Sequence, residues 1–372
     1  MTTTVAELLH KAELKSGLDD WGQVDIIEPL SLYLESVEQS ANLHDRGWLM
    51  LRNNVLRLLQ NRLHLVEAFG RGDAESRSRL WQPLVIVGLP RTGSTLLHRL
   101  LACDPASRAL RYFEGLHPLP PLAAGSRAAD RRQKTAARRL ALLNKMNPEL
   151  QRIHATEVDD PEECAHLMEH SFVDSMFELR TTVSAYSTWL RSEELRPVYY
   201  KELEAILGVL GLGDHDRWVL KAPRHLPCLA TLIGVVPSAQ IVWTHRDPTE
   251  SIPSMCSLAA VVQGTSSDHV NRRDLGAFWL DRLAEGHERA VETRRTDRAD
   301  RYVDVEYRRL VKEPLTVVAE IYDHFGYRYT AEFESAMVSW LEGNKQNRHG
   351  RHRYTAEGFG LTTDQITERI PR

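Results

Sequence analysis

The segment Gly88–Thr95 contains two glycines, an arginine and three hydroxyl side chains, and it directly follows the apolar run Leu84–Val87. A turn between a buried strand and a helix N-terminus binds anions well, because free backbone N–H groups and the positive end of the helix dipole meet there. The glycines have the spacing of the ATP-binding G-x4-G-K-[ST] loop, but Ser94 occupies the lysine position and Arg91 is the cation. The segment predicts a phosphate or sulfate site. The alternative is a turn in which the glycines only reverse the chain.

A second cation follows the apolar run Gln240–Thr244. Arg246 lies just beyond this predicted strand, and Ser254 comes eight residues later, which is about two helical turns. An arginine offers phosphate a charged fork of donors, and the serine hydroxyl returns to the same helix face. The pair therefore predicts a second anion site. The alternative is a helix cap, in which Asp247 caps the N-terminus and Pro248 begins the helix.

Both segments resemble parts of one family, the sulfotransferases that use 3′-phosphoadenosine 5′-phosphosulfate (PAPS). Leu89–Leu96 is similar to the family's 5′-phosphosulfate loop, and the spacing of Arg246 and Ser254 is similar to its 3′-phosphate site. The resemblance covers about residues 83–360. It implies that Arg246 and Ser254 bind the 3′-phosphate. It also implies that five consecutive residues of the loop contact the 5′-phosphosulfate: Arg91, Thr92, Gly93, Ser94 and Thr95.

Two later segments also resemble this family. Val305–Leu310 is similar to the Tyr-Glu-x-Leu stretch whose tyrosine lies near the nucleotide, which implies this position for Tyr307. The alternative is an ordinary strand-to-helix junction. Gly350–Tyr354 lies where the family has a basic segment that closes over the 3′-phosphate, which implies a contact from Arg351 or Arg353. The alternative there is a solvated basic tail.

Sulfuryl transfer needs cations that neutralise the leaving oxygen as its charge grows. Lys221 ends the predicted strand Trp218–Lys221, 25 residues before Arg246. It resembles the family lysine that acts on the sulfuryl group and the leaving oxygen, and Arg91 supplies a second cation. A strand-end lysine that extends to water is the alternative.

The acceptor hydroxyl also needs a base, and two residues are candidates. Glu114 lies 23 residues after Arg91, in the segment where protein-tyrosine and several bacterial and carbohydrate sulfotransferases have a catalytic glutamate. His225 is similar to the histidine of the Lys-Thr-His-Leu-Pro motif in cytosolic members, although two extra residues separate it from Lys221. We favour Glu114 and keep His225 as the alternative. His117, His166 and His170 are also in range but have no distinguishing feature.

Two charged stretches are interpreted as structural. The basic run Arg127–Arg139 predicts a solvated helix face rather than a polyanion site. Pro161–Glu163 predicts a helix N-terminus rather than a metal site, and sulfuryl transfer requires no metal.

Short apolar runs that alternate with helical patterns predict an α/β fold with three layers, similar to P-loop proteins, around a central parallel sheet. Residues 1–80 predict a helical N-terminal cap. Residues 81–360 predict the α/β domain, in which a helical insertion at about 113–215 binds the acceptor, and residues 361–372 are expected to form a C-terminal tail.

The bulk composition agrees with a globular enzyme and excludes several classes. The 372 residues carry a net charge of −4, which argues against general nucleic-acid binding. The four cysteines form no CxxC pair, and we see neither a secretory signal nor an apolar run long enough to span a membrane. We therefore expect a cytoplasmic protein without a metal.

The sequence thus predicts a PAPS-dependent sulfotransferase whose acceptor is a hydroxyl of a small molecule, a lipid or a glycan. The main alternative is a P-loop nucleotide kinase or other NTPase, which the missing lysine disfavours. A non-catalytic nucleotide-binding protein is the other alternative. The sequence leaves the oligomeric state open.

Overall fold

The computed structural model describes residues 4–70, 82–118, 128–153, 155–344 and 354–371. Within these residues, five parallel strands form one sheet in the order β2-β3-β1-β4-β5. The strands are β1 (Leu84–Gly88), β2 (Ser107–Ala109), β3 (Arg217–Lys221), β4 (Gln240–His245) and β5 (Tyr302–Glu306). Because β1 lies between β3 and β4, the carboxyl ends of these three strands meet at one edge of the sheet, where doubly wound folds bind ligands.

Helices surround this sheet. The described cap contains α1 (Val5–Ser16), α2 (Ile27–Ser40) and α3 (Asp45–Gly70). After β1 come α4 (Ser94–Leu101), α5 (Tyr112–Leu116), α6 (Ala128–Met146), α7 (Pro148–Ile153), α8 (Ala165–Met168), α9 (Met176–Arg180), α10 (Ser184–Glu193) and α11 (Pro197–Leu210). After β3 come α12 (Leu229–Val235), α13 (Pro248–Gln263), α14 (Arg272–Thr296), α15 (Tyr307–Lys312), α16 (Pro314–Phe325), α17 (Ala331–Gly343) and α18 (Thr363–Arg369).

The two faces of β1 enter different cores, which confirms the predicted three-layer α/β fold. Val85 and Val87 pack in a cluster with residues of α11, α13 and α14. Leu84 and Ile86 pack on the opposite face with residues of α4, α16 and α17. A strand buried on both faces has to be apolar throughout, which explains the continuous run in β1.

The cap packs mainly against the insertion. A third cluster joins Leu8, Leu30 and Leu58 of the cap with Phe172 and Tyr186 of the insertion. The helical cap and insertion therefore share a core of their own beside the sheet. Among the described residues, no helix is long and apolar enough to cross a bilayer.

Three local features differ from the expected pattern. The residue pattern of 307–325 predicts one helix, but the structure has two, α15 and α16; Pro314 has no N–H to donate and occupies the first position of α16. The sequence pattern missed β2, whose residues Ser-Arg-Ala form no apolar run. The expected C-terminal tail contains α18, and its Ile366 is fully buried in the main core.

Candidate functional site

The loop between β1 and α4 has an unusual backbone. Gly88, Arg91 and Gly93 have positive φ values of 146°, 71° and 88°. A Cβ atom on Gly88 would lie 2.4 Å from Thr244 Oγ1, so only glycine fits there. Arg91 adopts a conformation that non-glycine residues rarely adopt, and the guanidinium of Arg246 donates a 3.0 Å hydrogen bond to its carbonyl oxygen. The second predicted cation therefore stabilises the loop that carries the first.

The two predicted anion sites are adjacent. Arg91 Nε donates to Ser254 Oγ at 3.2 Å, which joins the loop to α13. Arg246 also donates to Glu250 Oε2 at 3.0 Å, and its guanidinium lies 4.3 Å from the ring centroid of Tyr307. Burial lowers the pKa of Arg91, although a guanidinium with a lowered pKa stays charged at neutral pH. The structure thus brings these three predicted donor-site residues and Tyr307 together.

Thr92 differs from its neighbours in the loop. Its side chain is buried, and its hydroxyl donates to the carbonyl oxygen of Leu89 at 2.6 Å while it contacts Thr244 Oγ1 at 2.6 Å. The Thr92 hydroxyl therefore stabilises the loop through its contacts with Leu89 and Thr244. Ser94 and Thr95, by contrast, line a cavity in front of the loop.

Lys221 reaches the same cavity from β3. Its Nζ donates to Thr95 Oγ1 at 3.1 Å and to Glu163 Oε1 at 2.7 Å, and its side chain is 5% exposed. The lysine is therefore buried and paired, so it does not extend to water. Glu163 was expected to belong to a helix N-terminus, and its contact with Lys221 was not predicted. Cys164 N donates to the carbonyl oxygen of Lys221, and this tertiary hydrogen bond brings Glu163 to the end of β3.

The two residues predicted as bases lie elsewhere. The Glu114 carboxylate accepts a 2.9 Å hydrogen bond from Arg108 Nη2 and a 3.0 Å bond from the backbone N–H of Arg111, and Glu114 is not among the residues that line the cavity. His225 is fully buried, hydrogen-bonded to the Tyr200 hydroxyl at 3.0 Å, and also absent from the cavity wall. Burial lowers the pKa of His225 to about 3. The structure therefore does not bring either residue to Lys221.

The predicted contacts of Arg351 and Arg353 lie outside the described residues. The chain is described again from Tyr354 onwards, and the phenol of Tyr354 is among the groups that affect the pKa of Arg91. The described chain therefore returns close to the loop between β1 and α4, the predicted phosphate loop, immediately after these two arginines.

A cavity of about 440 Å³ begins at the phosphate loop and extends under the insertion. Thr95, Lys221 and Glu163 line its loop end, and His166 also lines the cavity. Its walls are mostly apolar side chains of the cap, the insertion and α13, among them Leu51, Leu116, Leu143, Met176, Leu179 and Met255. Among the described residues, no three His, Cys, Asp or Glu side chains converge as metal ligands do.

The fold and this site define a class: an α/β protein whose loop after β1 has its cation at Arg91 and a serine, Ser94, at the lysine position of ATP-binding loops. The model of the sulfotransferase family matches residues 83–331. The chain therefore belongs to the sulfotransferase family.

Two solved structures are similar over nearly the whole chain. The sulfotransferase STF1 from Mycobacterium tuberculosis H37Rv shares 30% sequence identity with a TM-score of 0.87, and the match covers 100% of this chain and 99% of that chain. The sulfotransferase STF9 from Mycobacterium avium shares 25% identity with a TM-score of 0.85, covering 99% and 95% of the two chains. Curated protein sequences gave no significant match.

Proposed function

We propose that this sulfotransferase uses PAPS as its donor and transfers the sulfuryl group to a hydroxyl acceptor in the cavity. One observation carries the proposal. Arg91 and Ser254 lie at one side of the phosphate loop and Lys221 contacts Thr95 at the other, so a donor in the loop meets cations at both ends. PAPS has anionic groups at two positions, the 5′-phosphosulfate and the 3′-phosphate. The cations at the two ends of the loop are suited to these two groups.

The assignment of donor groups follows from the geometry of the loop. Gly93, Ser94 and Thr95 begin α4, whose free N–H groups are suited to the 5′-phosphosulfate. Arg246 and Ser254 lie on the α13 side of the loop and are suited to the 3′-phosphate. Tyr307 packs against Gly93 and under Arg246, where it shapes the nucleotide site.

The transfer is an in-line displacement at sulfur. The acceptor oxygen forms a bond to sulfur while the bond from sulfur to the bridging oxygen breaks, and adenosine 3′,5′-bisphosphate (PAP) leaves with the electron pair. Lys221 Nζ is placed to stabilise the charge that develops on the bridging oxygen. The acceptor proton passes to a base on the cavity wall.

Glu163 is the carboxylate best placed to act as this base. It lines the cavity and contacts Lys221, the residue proposed to act on the bridging oxygen. An incoming phosphosulfate attracts Lys221 Nζ, which releases the Glu163 carboxylate toward the acceptor. Glu114 stays a prediction, but it would first have to leave Arg108.

Nucleotide binding tests the donor assignment against the NTPase alternative. Isothermal titration calorimetry should show tight binding of PAP without a divalent metal, and no binding of ATP that depends on Mg²⁺. Labelled PAPS should then transfer its sulfuryl group to a hydroxyl acceptor. Mg²⁺-dependent ATP binding with no affinity for PAP would overturn the proposal.

A further inference from the structure

The inner wall of the cavity contains more positive than negative charge. Arg180 binds the fully buried carboxylate of Glu169 through two hydrogen bonds of 2.8 and 2.6 Å, and Arg57 Nη2 lies 3.9 Å from the same carboxylate. Arg57 and Arg139 each donate a 3.0 Å hydrogen bond to Asn54 Oδ1. Two guanidinium groups thus lie at one carboxylate, and a third, that of Arg139, is joined to them through Asn54. We call these five residues the arginine cluster.

Glu169 is the carboxylate that contacts this cluster directly, and the buried Asp174 adds a weaker negative charge near Arg180. Arg139 forms no ion pair there, and its hydrogen bond is to the neutral amide of Asn54. The imidazole of His166 also lies beside the Glu169 carboxylate, with its Nδ1 3.5 Å from Glu169 Oε1. Burial, together with the positive charge of Arg139, lowers the pKa of Arg57 to about 9. Charges held away from water are costly unless a partner neutralises them, so the cluster favours an anion beside it.

The cluster faces the cavity, and its carboxylate lies on the same segment of the chain as Glu163. Arg139, Arg180 and Asn54 all line the cavity. Glu163 contacts Lys221 while Glu169 contacts Arg180, and Glu169 lies six positions after Glu163 along a largely helical segment. At a helical rise of about 1.5 Å per residue, the two glutamates are on the order of 10 Å apart along this segment.

We propose that the acceptor is an anionic amphiphile: a hydroxyl at Lys221, an apolar body against the leucine and methionine walls, and an anionic group bound by Arg139 and Arg180. This inference rests on the proposed function, because it names the acceptor class of that site. The apolar walls exclude an acceptor made only of polar sugar units, and the excess cations distinguish a hydroxy acid from a neutral alcohol.

Three probes of matched length test the charge preference: ω-hydroxydecanoate, decane-1,10-diol and 10-aminodecan-1-ol. Their binding to the full chain is measured by calorimetry without nucleotide, below the concentrations at which the probes aggregate. We expect the acid to bind at least tenfold more tightly than the diol, and the amine to bind most weakly. Equal binding of acid and diol by the unmodified protein overturns the inference, whatever any variant does.

Variants assign the preference to the cluster. Arg139→Gln should reduce the preference for acid over diol to about twofold or less and leave diol binding unchanged, while Arg139→Lys should restore part of it. Arg138 is the matched control, because it is the exposed neighbouring arginine on α6, and Arg138→Gln should keep the full preference. A preference that survives Arg139→Gln contradicts the assignment.

The same proteins separate this inference from the proposed donor. PAP binding is measured beside probe binding, and Arg139→Gln should not change it. PAP binding without a preference for the acid defeats the acceptor class alone. A preference for the acid without PAP binding defeats the donor assignment and leaves the anion site in place.

Discussion

Single side chains in the donor site support one another. Arg246 holds the carbonyl oxygen of Arg91, and Arg91 contacts Ser254, so each predicted nucleotide contact also positions the next. The Arg246 guanidinium is further held by Glu250 and by the ring of Tyr307. Such pre-organisation lowers the conformational cost of binding a nucleotide that carries two separate anionic groups.

Loss of Arg246 or Ser254 should weaken nucleotide binding selectively. A charge-assisted hydrogen bond contributes about 1.5–3 kcal/mol and a neutral one about 1 kcal/mol, so Arg246→Ala should cost more PAP affinity than Ser254→Ala. Calorimetry with PAP and with AMP, which lacks the 3′-phosphate, measures this. Arg308→Ala is the control, because Arg308 binds the same Glu250 from an exposed position. Equal losses for PAP and AMP would show that these residues do not bind the 3′-phosphate.

Lys221 should affect turnover more than donor affinity. The bridging oxygen gains charge mainly in the transition state, so removal of its donor should lower kcat by about 10²–10³-fold. Steady-state kinetics of Lys221→Ala, together with PAP titration, separates the two effects. A rise in KM for PAPS with unchanged kcat would make Lys221 a binding residue only.

The two glutamates that are candidates for the base can be distinguished by the pH dependence of kcat in their variants. If Glu163 accepts the proton, Glu163→Gln should lower kcat by about 10²–10⁴-fold and remove the acid limb of the pH profile of kcat, and Glu114→Gln should retain that limb. The defect should shrink with an acidic phenol as acceptor, since such a hydroxyl depends less on a base. A normal pH profile in Glu163→Gln beside an inactive Glu114→Gln would return the role to Glu114. His225→Ala should leave the limb intact in either case.

At the scale of elements, the sheet edge determines where the chemistry lies. The ends of β1, β3 and β4 carry the phosphate loop, Lys221 and Arg246, respectively. Parallel strands with this order bring residues that are far apart in sequence to one edge. The insertion then closes the cavity over them, with Glu163 held against β3 by a backbone hydrogen bond.

The loop between β1 and α4 should not tolerate a side chain at Gly93. Its φ is 88°, and a Cβ atom would lie 2.8 Å from Tyr307 Cδ2. Gly93→Ala should therefore both destabilise the protein and weaken PAP binding, since the loop has to move from the tyrosine ring. Gly17→Ala is the matched control: its φ is 73° and nothing lies within 4 Å, so it should cost only about 1 kcal/mol of conformational energy and leave PAP binding unchanged. Unaltered PAP affinity in Gly93→Ala would contradict the close packing of this loop.

The sequence predicted those parts of the site that depend on local pattern. β1, β3 and β4 were predicted within one residue at each end because buried parallel strands are continuous apolar runs. Glu163 was missed because its position depends on a tertiary hydrogen bond, and a Pro-Glu-Glu segment looks like a helix start. The same limit applies to the basic run on α6: Arg138 is exposed as expected, but its neighbour Arg139 lines the cavity. A helix pattern does not show which of two adjacent arginines faces inward.

At the scale of the whole molecule, buried ionic groups join the insertion to the helices behind the sheet. Arg282 of α14 donates to Glu178 at 3.1 Å and to Glu194 at 2.6 Å, and all three side chains are buried. Removal of one partner from such a group leaves an unpaired charge in the interior and is strongly destabilising. The insertion that forms the acceptor cavity is therefore fixed to the α/β domain by polar contacts as well as by its apolar core.

The same burial predicts how stability depends on pH. His98, His170 and His225 are almost completely buried, and burial lowers the pKa of each to about 3. An unfolded chain binds protons at these histidines below about pH 6.5, whereas the folded protein does not until about pH 3.

Folding stability should therefore be constant above pH 6.5 with respect to these groups and should fall as the pH is lowered, by up to ~1.4 kcal/mol per pH unit for each histidine. Urea unfolding at pH 7 and pH 5 measures this: the three histidines should contribute a loss on the order of 5 kcal/mol, partly offset by Asp174, whose pKa burial raises to about 7. His10→Ala, which removes an exposed imidazole, should show the same loss as the unmodified protein. Equal free energies of unfolding at the two pH values would mean that these imidazoles accept protons in the folded state.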